Sequence, residues 1–173
     1  MDEAYIHFAE PAKIESSIKY VRENKNVVVT RTFSKIYGMA GIRAGFGCAR
    51  PELIHAITPF RTNVIPVLGL RAASAALAER SLLVPARRAD MARRSTDLCE
   101  WLRQKRLAYI EPHANFVMID IGRDVRSFGD AMFRQGVAVG RPFPAVEHML
   151  RVTLGTDSEM AKFRDVFWRV YNS

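Results

Sequence analysis

Apolar positions along the chain change period several times, and each change marks an element. Asp2-Glu-Ala-Tyr-Ile-His-Phe8 mixes acidic and aromatic residues and reads as a strand end running into a loop. From Ile14 to Glu23 the apolar positions recur at helical spacing. Asn26 to Thr32 is a short β-branched run, the pattern of a parallel strand buried on both faces. Gly41 to Cys48 is small and apolar and reads as a second buried strand. Pro51 suits a first helical position, and a helix from it would turn Leu53, Ile54 and Ile57 inward. Residues 64–79 are alanine-rich and helical.

From Ser81 to Arg106 an arginine-bearing helical pattern runs without glycine, long enough to connect two domains. Strands are expected at Leu107 to Ile110 and Asn115 to Ile121. An amphipathic helix over Asp124 to Arg134 should stop at Gly136, placed as a C-cap glycine. Val137 to Val139 and Leu150 to Leu154 read as short strands. Thr156-Asp-Ser-Glu159 is a capping box, in which threonine and glutamate satisfy each other's orphan amides. The helix after it runs to about Tyr171 and presents Met160, Phe163, Val166, Phe167 and Val170 on one side.

Composition narrows the class. With 49% hydrophobic residues in 173, the chain can build a core. The net charge is +8, mostly from arginine. The arginines scatter, with small clusters only at Arg87-Arg88 and Arg93-Arg94, and no basic stripe alternates with aromatics. Nucleic-acid binding is therefore not expected. No apolar run reaches membrane-spanning length. Cys48 and Cys99 stand far apart, His7 and His55 lack partners at ligand spacing and His113 reads as a loop residue, so neither a disulfide framework nor a metal site is expected. Two isolated thiols suit a reducing, cytoplasmic setting.

The chemistry concentrates in Thr30-Arg-Thr-Phe-Ser-Lys-Ile-Tyr-Gly-Met-Ala-Gly-Ile-Arg-Ala-Gly45. Lys35 directly follows the first strand pattern, flanked by the hydroxyls of Thr32 and Ser34 and followed by Arg43. A lysine amine can hold an aldehyde covalently. Hydroxyls and a guanidinium are the donors a phosphate needs. Upstream, Asp2 can keep a pyridine nitrogen protonated, and the Tyr5 hydroxyl can bond a phenolate oxygen on the same ring. Taken singly, each of these also fits a plain surface lysine, a turn glycine or an acidic loop.

Together the blocks resemble the class I/II pyridoxal-phosphate aminotransferases, most of all the histidinol-phosphate aminotransferase branch. They are Asp2-Glu-Ala-Tyr5, Thr32 to Gly45, Ala114-Asn-Phe-Val117 and Leu150-Arg-Val-Thr-Leu-Gly-Thr156, in the family's order across essentially the whole chain. The resemblance implies an α/β fold: the C-terminal part of the aspartate aminotransferase-like architecture, with a partial large-domain parallel sheet and a complete small α+β domain. It divides the chain into residues 1–80 of the large cofactor-binding domain, a connecting helix over 81–106, and a small domain over 107–173. Pyridoxal 5'-phosphate is the implied cofactor. Lys35 then matches the lysine that carries it, Asp2 the ring-nitrogen partner, Tyr5 the partner of the ring oxygen, and Thr32, Ser34 and Arg43 the phosphate cup. Arg151 matches the arginine that grips the substrate carboxylate. Arg141 lies near the arginine used on a substrate phosphate, although here Gly140 separates valine from arginine.

The implied reaction is transamination between an L-amino compound, either histidinol phosphate or an aromatic or other amino acid, and a 2-oxo acid. A homodimer is the implied assembly. A lyase or decarboxylase of the same fold, or an inactive remnant acting as a folded or oligomerising module, are the alternatives. Relatives of this kind have about twice this length, so the chain corresponds to their C-terminal half. The strands near Lys35 should then have open edges, and the region after about residue 85 should be the more self-sufficient unit.

Overall fold

A computed structural model of the chain describes residues 1–61, 64 and 66–173. Two compact units divide it, Met1–Ala89 and Asp90–Ser173. Each is described by itself.

In the first unit the opening residues form turns and touch strand β1 (Val29–Thr32) through a parallel bridge, Asp2 to Thr30. Helix α1 (Ile18–Arg22) is shorter than the periodicity from Ile14 implies. The reason is Glu3, whose carboxylate takes the Ser17 amide at 2.5 Å and the Ser16 hydroxyl at 3.0 Å, so the backbone enters the helix only after them. Strand β1 (Val29–Thr32) pairs with β2 (Gly45–Cys48) in antiparallel register, Thr32 opposite Gly45. This corrects the expectation of a buried parallel strand followed by a second buried strand. Only Val29 of the ribbon is buried, and Gly41 and Ile42, read as the start of the second strand, lie in a 3-10 turn over Ala40–Ile42. A β-branched run signals a strand but not what covers it.

Helix α2 (Pro51–Ile57) begins at its proline as expected but buries none of its residues, so Leu53, Ile54 and Ile57 are not an inward face here. Ile65, inside the helix read over 64–79, lies outside the described residues; α3 (Val67–Ala78) buries Gly69 and Ala73. Helix α4 (Arg80–Gln104) continues from the first unit into the second, with Pro85 inside it. The core of the first unit is small: Phe33, Ile36, Tyr37, Ala44, Ala73 and Val84. Phe60, Val64, Val67 and Leu68 are exposed.

The second unit packs helices on a three-stranded antiparallel sheet in the order β3 (Tyr109–Ile110), β4 (Phe116–Asp120), β5 (Met149–Thr153). Helix α5 (Val125–Arg134) is capped at its start by Asp124, whose carboxylate accepts from the Ser127 amide at 2.8 Å. It stops where Gly136 takes φ +77°, a conformation that costs a side chain dearly and glycine little. Val137 to Val139, read as a strand, lies outside the sheet; next to it, the Gly140 amide donates to the Arg151 carbonyl at 2.9 Å. Helix α6 (Asp157–Tyr171) starts in the Thr156–Glu159 capping box and buries Met160, Phe163, Val166, Phe167 and Val170, as its pattern requires. These meet Leu98, Leu102, Ile119, Met132 and Leu150 in one large cluster. Phe167 is fully buried, with the Trp101 ring edge-on to it at 5.7 Å; a burial of this size stabilises by about 1.5–3 kcal/mol. The unit after Ala89 thus has the larger core. No helix of the described residues is long and apolar enough to cross a membrane.

Candidate active site

Lys35 sits in a tight turn at the end of the β1–β2 ribbon. The Gly38 amide donates to the Lys35 carbonyl at 2.8 Å, and the Met39 amide donates to the Phe33 carbonyl at 3.0 Å. Gly38 takes φ +68°, which closes the turn. Phe33, Ile36 and Tyr37 are buried beneath it, so the turn is pinned by three apolar anchors while Ser34 and Lys35 stay half-buried. The Ser34 amide donates to the Thr32 hydroxyl at 3.0 Å, holding the two hydroxyl residues together.

Tyr5 meets Lys35: the Lys35 Nζ lies 5.2 Å from the centre of the Tyr5 ring. Asp2 is exposed, with one carboxylate oxygen accepting from the Ala4 amide at 3.0 Å. Its bridge to Thr30 puts it two residues, roughly 7 Å of strand, before Thr32. Arg43 stands two residues before Gly45, the partner of Thr32. Its backbone is left-handed, φ +58°, and its Nη1 donates to the Ala40 carbonyl at 2.7 Å. A non-glycine residue in that region stores strain of order 1–3 kcal/mol and is characteristic of functional loops.

Two charged residues behind this end escaped the sequence reading. Glu3 is buried and receives Arg31 through both Nε (3.0 Å) and Nη2 (2.8 Å). Burial alone would raise the Glu3 pKa, but the bonds from Arg31, the Ser17 amide and the Ser16 hydroxyl outweigh it and hold the carboxyl below its usual value. The available signal was alternation: Asp2 is out and Glu3 in, Thr30 out and Arg31 half-in. His7 lies edge-on to Tyr37 at 5.8 Å. Its pKa is lowered by burial and by the charges of Arg31 and Arg88.

In the second unit, Arg151 lies on β5 with its guanidinium 4.0 Å from the centre of the Phe116 ring on β4. The face of an aromatic ring attracts a guanidinium and fixes its plane. The Leu154 amide donates to the Asn115 carbonyl at 2.9 Å, so the motifs 114–117 and 150–156 are adjacent strands of one sheet. Arg141 is exposed, its guanidinium 5.0 Å from the Phe143 ring centre. Gly140 explains the residue that stands between valine and arginine. A Cβ there would come within 2.8 Å of the Arg151 carbonyl oxygen and 2.9 Å of the Arg151 Cβ.

Residues 1–167 match the family model for aminotransferase class I and II. The chain belongs to this family. Among aminotransferase relatives, histidinol-phosphate aminotransferase 2 of Nitrosospira multiformis is 36% identical over 169 residues, covering 94% of this chain and 42% of that protein. The histidinol-phosphate aminotransferase of Symbiobacterium thermophilum is 38% identical over 170 residues, covering 94% of this chain and 45% of its own length. Among solved structures, a protein of Erwinia carotovora atroseptica superposes with a TM-score of 0.92 at 27% identity, over 99% of this chain and 50% of that one. The histidinol-phosphate aminotransferase of Sinorhizobium meliloti in complex with pyridoxal-5'-phosphate superposes with a TM-score of 0.83 at 26% identity, over 99% of this chain and 48% of that one. The chain therefore spans about half the length of the relatives it matches, and its fold is a partial aminotransferase fold of the α/β class. The family is one of enzymes that transfer amino groups. The donor set of the first unit suits the family's cofactor: an amine for an aldehyde, hydroxyls and a guanidinium for a phosphate, and an exposed carboxylate for a ring N–H.

Proposed function

We propose that this chain serves pyridoxal-phosphate-dependent transamination between an L-amino compound and a 2-oxo acid, with histidinol phosphate or an aromatic amino acid as the amino substrate. The observation that carries the reading is the meeting of Lys35 with Tyr5 at a turn that also bears Ser34 and Thr32. When bound, the cofactor supplies an aldehyde for the substrate amine and a protonated ring that accepts an electron pair.

The chain's own residues divide the remaining work. Lys35 would hold the cofactor through Nζ, and its amine would move a proton at the substrate α-carbon. The Asp2 carboxylate would keep a proton on the ring nitrogen, and the Tyr5 hydroxyl would donate to the ring oxygen. Thr32 and Ser34 would donate hydroxyl bonds to the phosphate, and Arg43 would add a charge-assisted pair. Arg151 pairs with the substrate carboxylate, its plane fixed on Phe116. Arg141 is assigned to a second anionic group on the substrate. The 36% and 38% identities to histidinol-phosphate aminotransferases support a phosphate for that group. A homodimer in the cytoplasm is part of the same proposal, and the exposed Phe60, Val64, Val67 and Leu68 support an apolar association face.

The test is to incubate the purified chain with pyridoxal phosphate, reduce with borohydride and map the label by peptide mass. A covalent adduct on Lys35, absent in Lys35→Ala, is expected. A reduced product with no label on Lys35 removes the cofactor role from this residue. Amino donors offered to the loaded protein with 2-oxoglutarate then separate transamination from decarboxylation or elimination.

A further inference from the structure

Two adjacent arginines near the start of α4 reach the two turns that carry the site. Val84 is buried in the first unit's core beside Phe33, Ile36 and Tyr37. Arg87 and Arg88 follow it by three and four residues, so all three share one helix face. The Arg87 Nη1 donates to the Ile36 carbonyl at 2.8 Å, inside the turn closed by the Gly38 amide on the Lys35 carbonyl. The same guanidinium nitrogen would stand 3.1 Å from a Cβ placed on Gly38, so it lies flat against the turn. The Arg88 Nε donates to the His7 carbonyl at 2.7 Å, inside the turn closed by the Phe8 amide on the Tyr5 carbonyl at 3.0 Å. The side chains that meet across these turns are Lys35 and Tyr5.

We propose that Arg87 and Arg88 are positioning residues: each clamps one of the two turns to α4 and so sets the approach of the Lys35 amine to the Tyr5 ring. This rests on the reading of Lys35 as the cofactor lysine. The physical basis is that a turn held only by its own i to i+3 hydrogen bond opens easily. A charged donor on a helical, apolar-anchored element adds one of the stronger hydrogen bonds available to a carbonyl. Val84 sets the helix against the turns, and the two guanidiniums set the turns against the helix. Both guanidiniums donate to backbone carbonyls of these turns, so each acts through Lys35 or Tyr5.

The experiment compares Arg87→Met, Arg87→Lys and Arg88→Met in the full chain by amide exchange without cofactor and by borohydride trapping across a range of pyridoxal phosphate concentrations. Arg87→Met is expected to speed exchange at the Gly38 and Met39 amides about tenfold, the loss of one charge-assisted bond. Arg88→Met should act at Phe8 instead. Half-maximal trapping on Lys35 should need about tenfold more pyridoxal phosphate in Arg87→Met, with part of the loss recovered in Arg87→Lys. Unchanged exchange at Gly38 and Phe8 overturns the clamp. So does faster exchange spread over the whole of residues 1–89, which would make the arginines general stabilisers. A wild-type chain that shows no Lys35 adduct defeats the cofactor reading alone, since the exchange pattern still decides the clamp.

Discussion

Replacing Glu3 by glutamine keeps the shape of the side chain and removes the charge. Glu3 receives donors on both oxygens: the Ser17 amide on Oε1, Arg31 through Nε and Nη2 on Oε2, and the Ser16 hydroxyl within reach of both. A carboxylate accepts on both sides, whereas an amide accepts on only one. With its oxygen toward Arg31, glutamine sets its NH2 against the Ser17 N–H; with its oxygen toward Ser17, it sets the NH2 against the guanidinium. One donor set is lost either way. The Glu3 side chain is 6% exposed and that of Arg31 22%, so the guanidinium can recover some water while the carboxylate site cannot. An unsatisfied buried donor costs about 1–3 kcal/mol, and a bond to a charged group contributes about 1.5–3 kcal/mol. Partial solvation of Arg31 brings the expected total to about 2–3 kcal/mol.

Amide exchange reads this locally. The Glu3 and Thr30 amides, bonded to the Thr30 and Met1 carbonyls at 2.9 Å, should exchange roughly 30- to 150-fold faster in Glu3→Gln. Both tryptophans, Trp101 and Trp168, lie in the second unit's core region, so their fluorescence transition in urea is an internal control and should stay in place. Acid gives the same group a second signature. The folded-state pKa of Glu3 lies below its ordinary 4.5, so the folded state binds fewer protons than the unfolded one as that carboxyl titrates. The stabilisation is complete above 4.5 and is lost as pH falls through the lower folded value. Glu3→Gln should lack this component of the acid loss. A change in exchange below about threefold would refute the assignment of Glu3 as the anchor of this unit, as would an equal shift of the tryptophan transition.

Other perturbations separate the remaining elements. Gly140→Ala should destabilise the second unit by about 1–3 kcal/mol, because its Cβ meets the Arg151 backbone at 2.8 Å; a lowered thermal midpoint by tryptophan fluorescence checks it. Thr156→Ala removes the cap that accepts from the Glu159 amide and should cost about 1 kcal/mol, read as a shift of the urea midpoint of α6 and its Trp168.

The local grammar of the second unit was readable because each of its signals is short-ranged. A capping box, a C-cap glycine and a one-sided apolar stripe each act within two or three turns, and α5 and α6 obey them. The first unit shows the opposite case. The run ending at Thr32 announced a strand, but whether a strand is buried and which way its neighbour runs depend on residues far away in sequence. Here β2 returns antiparallel and leaves Val29 the one buried residue of the ribbon. The inward face expected of α2 failed for the same reason: apolar spacing states what a helix offers, and only packing states what accepts it.

For the site, the residue types around Lys35 and the order of the motifs were carried by the sequence alone, and with them membership of the aminotransferase family. Their order is a property of the chain and needs no fold to be read. Only the tertiary structure put Tyr5 against the Lys35 amine, stacked Arg151 on Phe116, tied Arg31 to Glu3 and brought Arg87 and Arg88 to two separate turns. Those contacts join residues from 28 to 81 positions apart. Over such separations nothing in the local pattern specifies the pairing, and burial decides it.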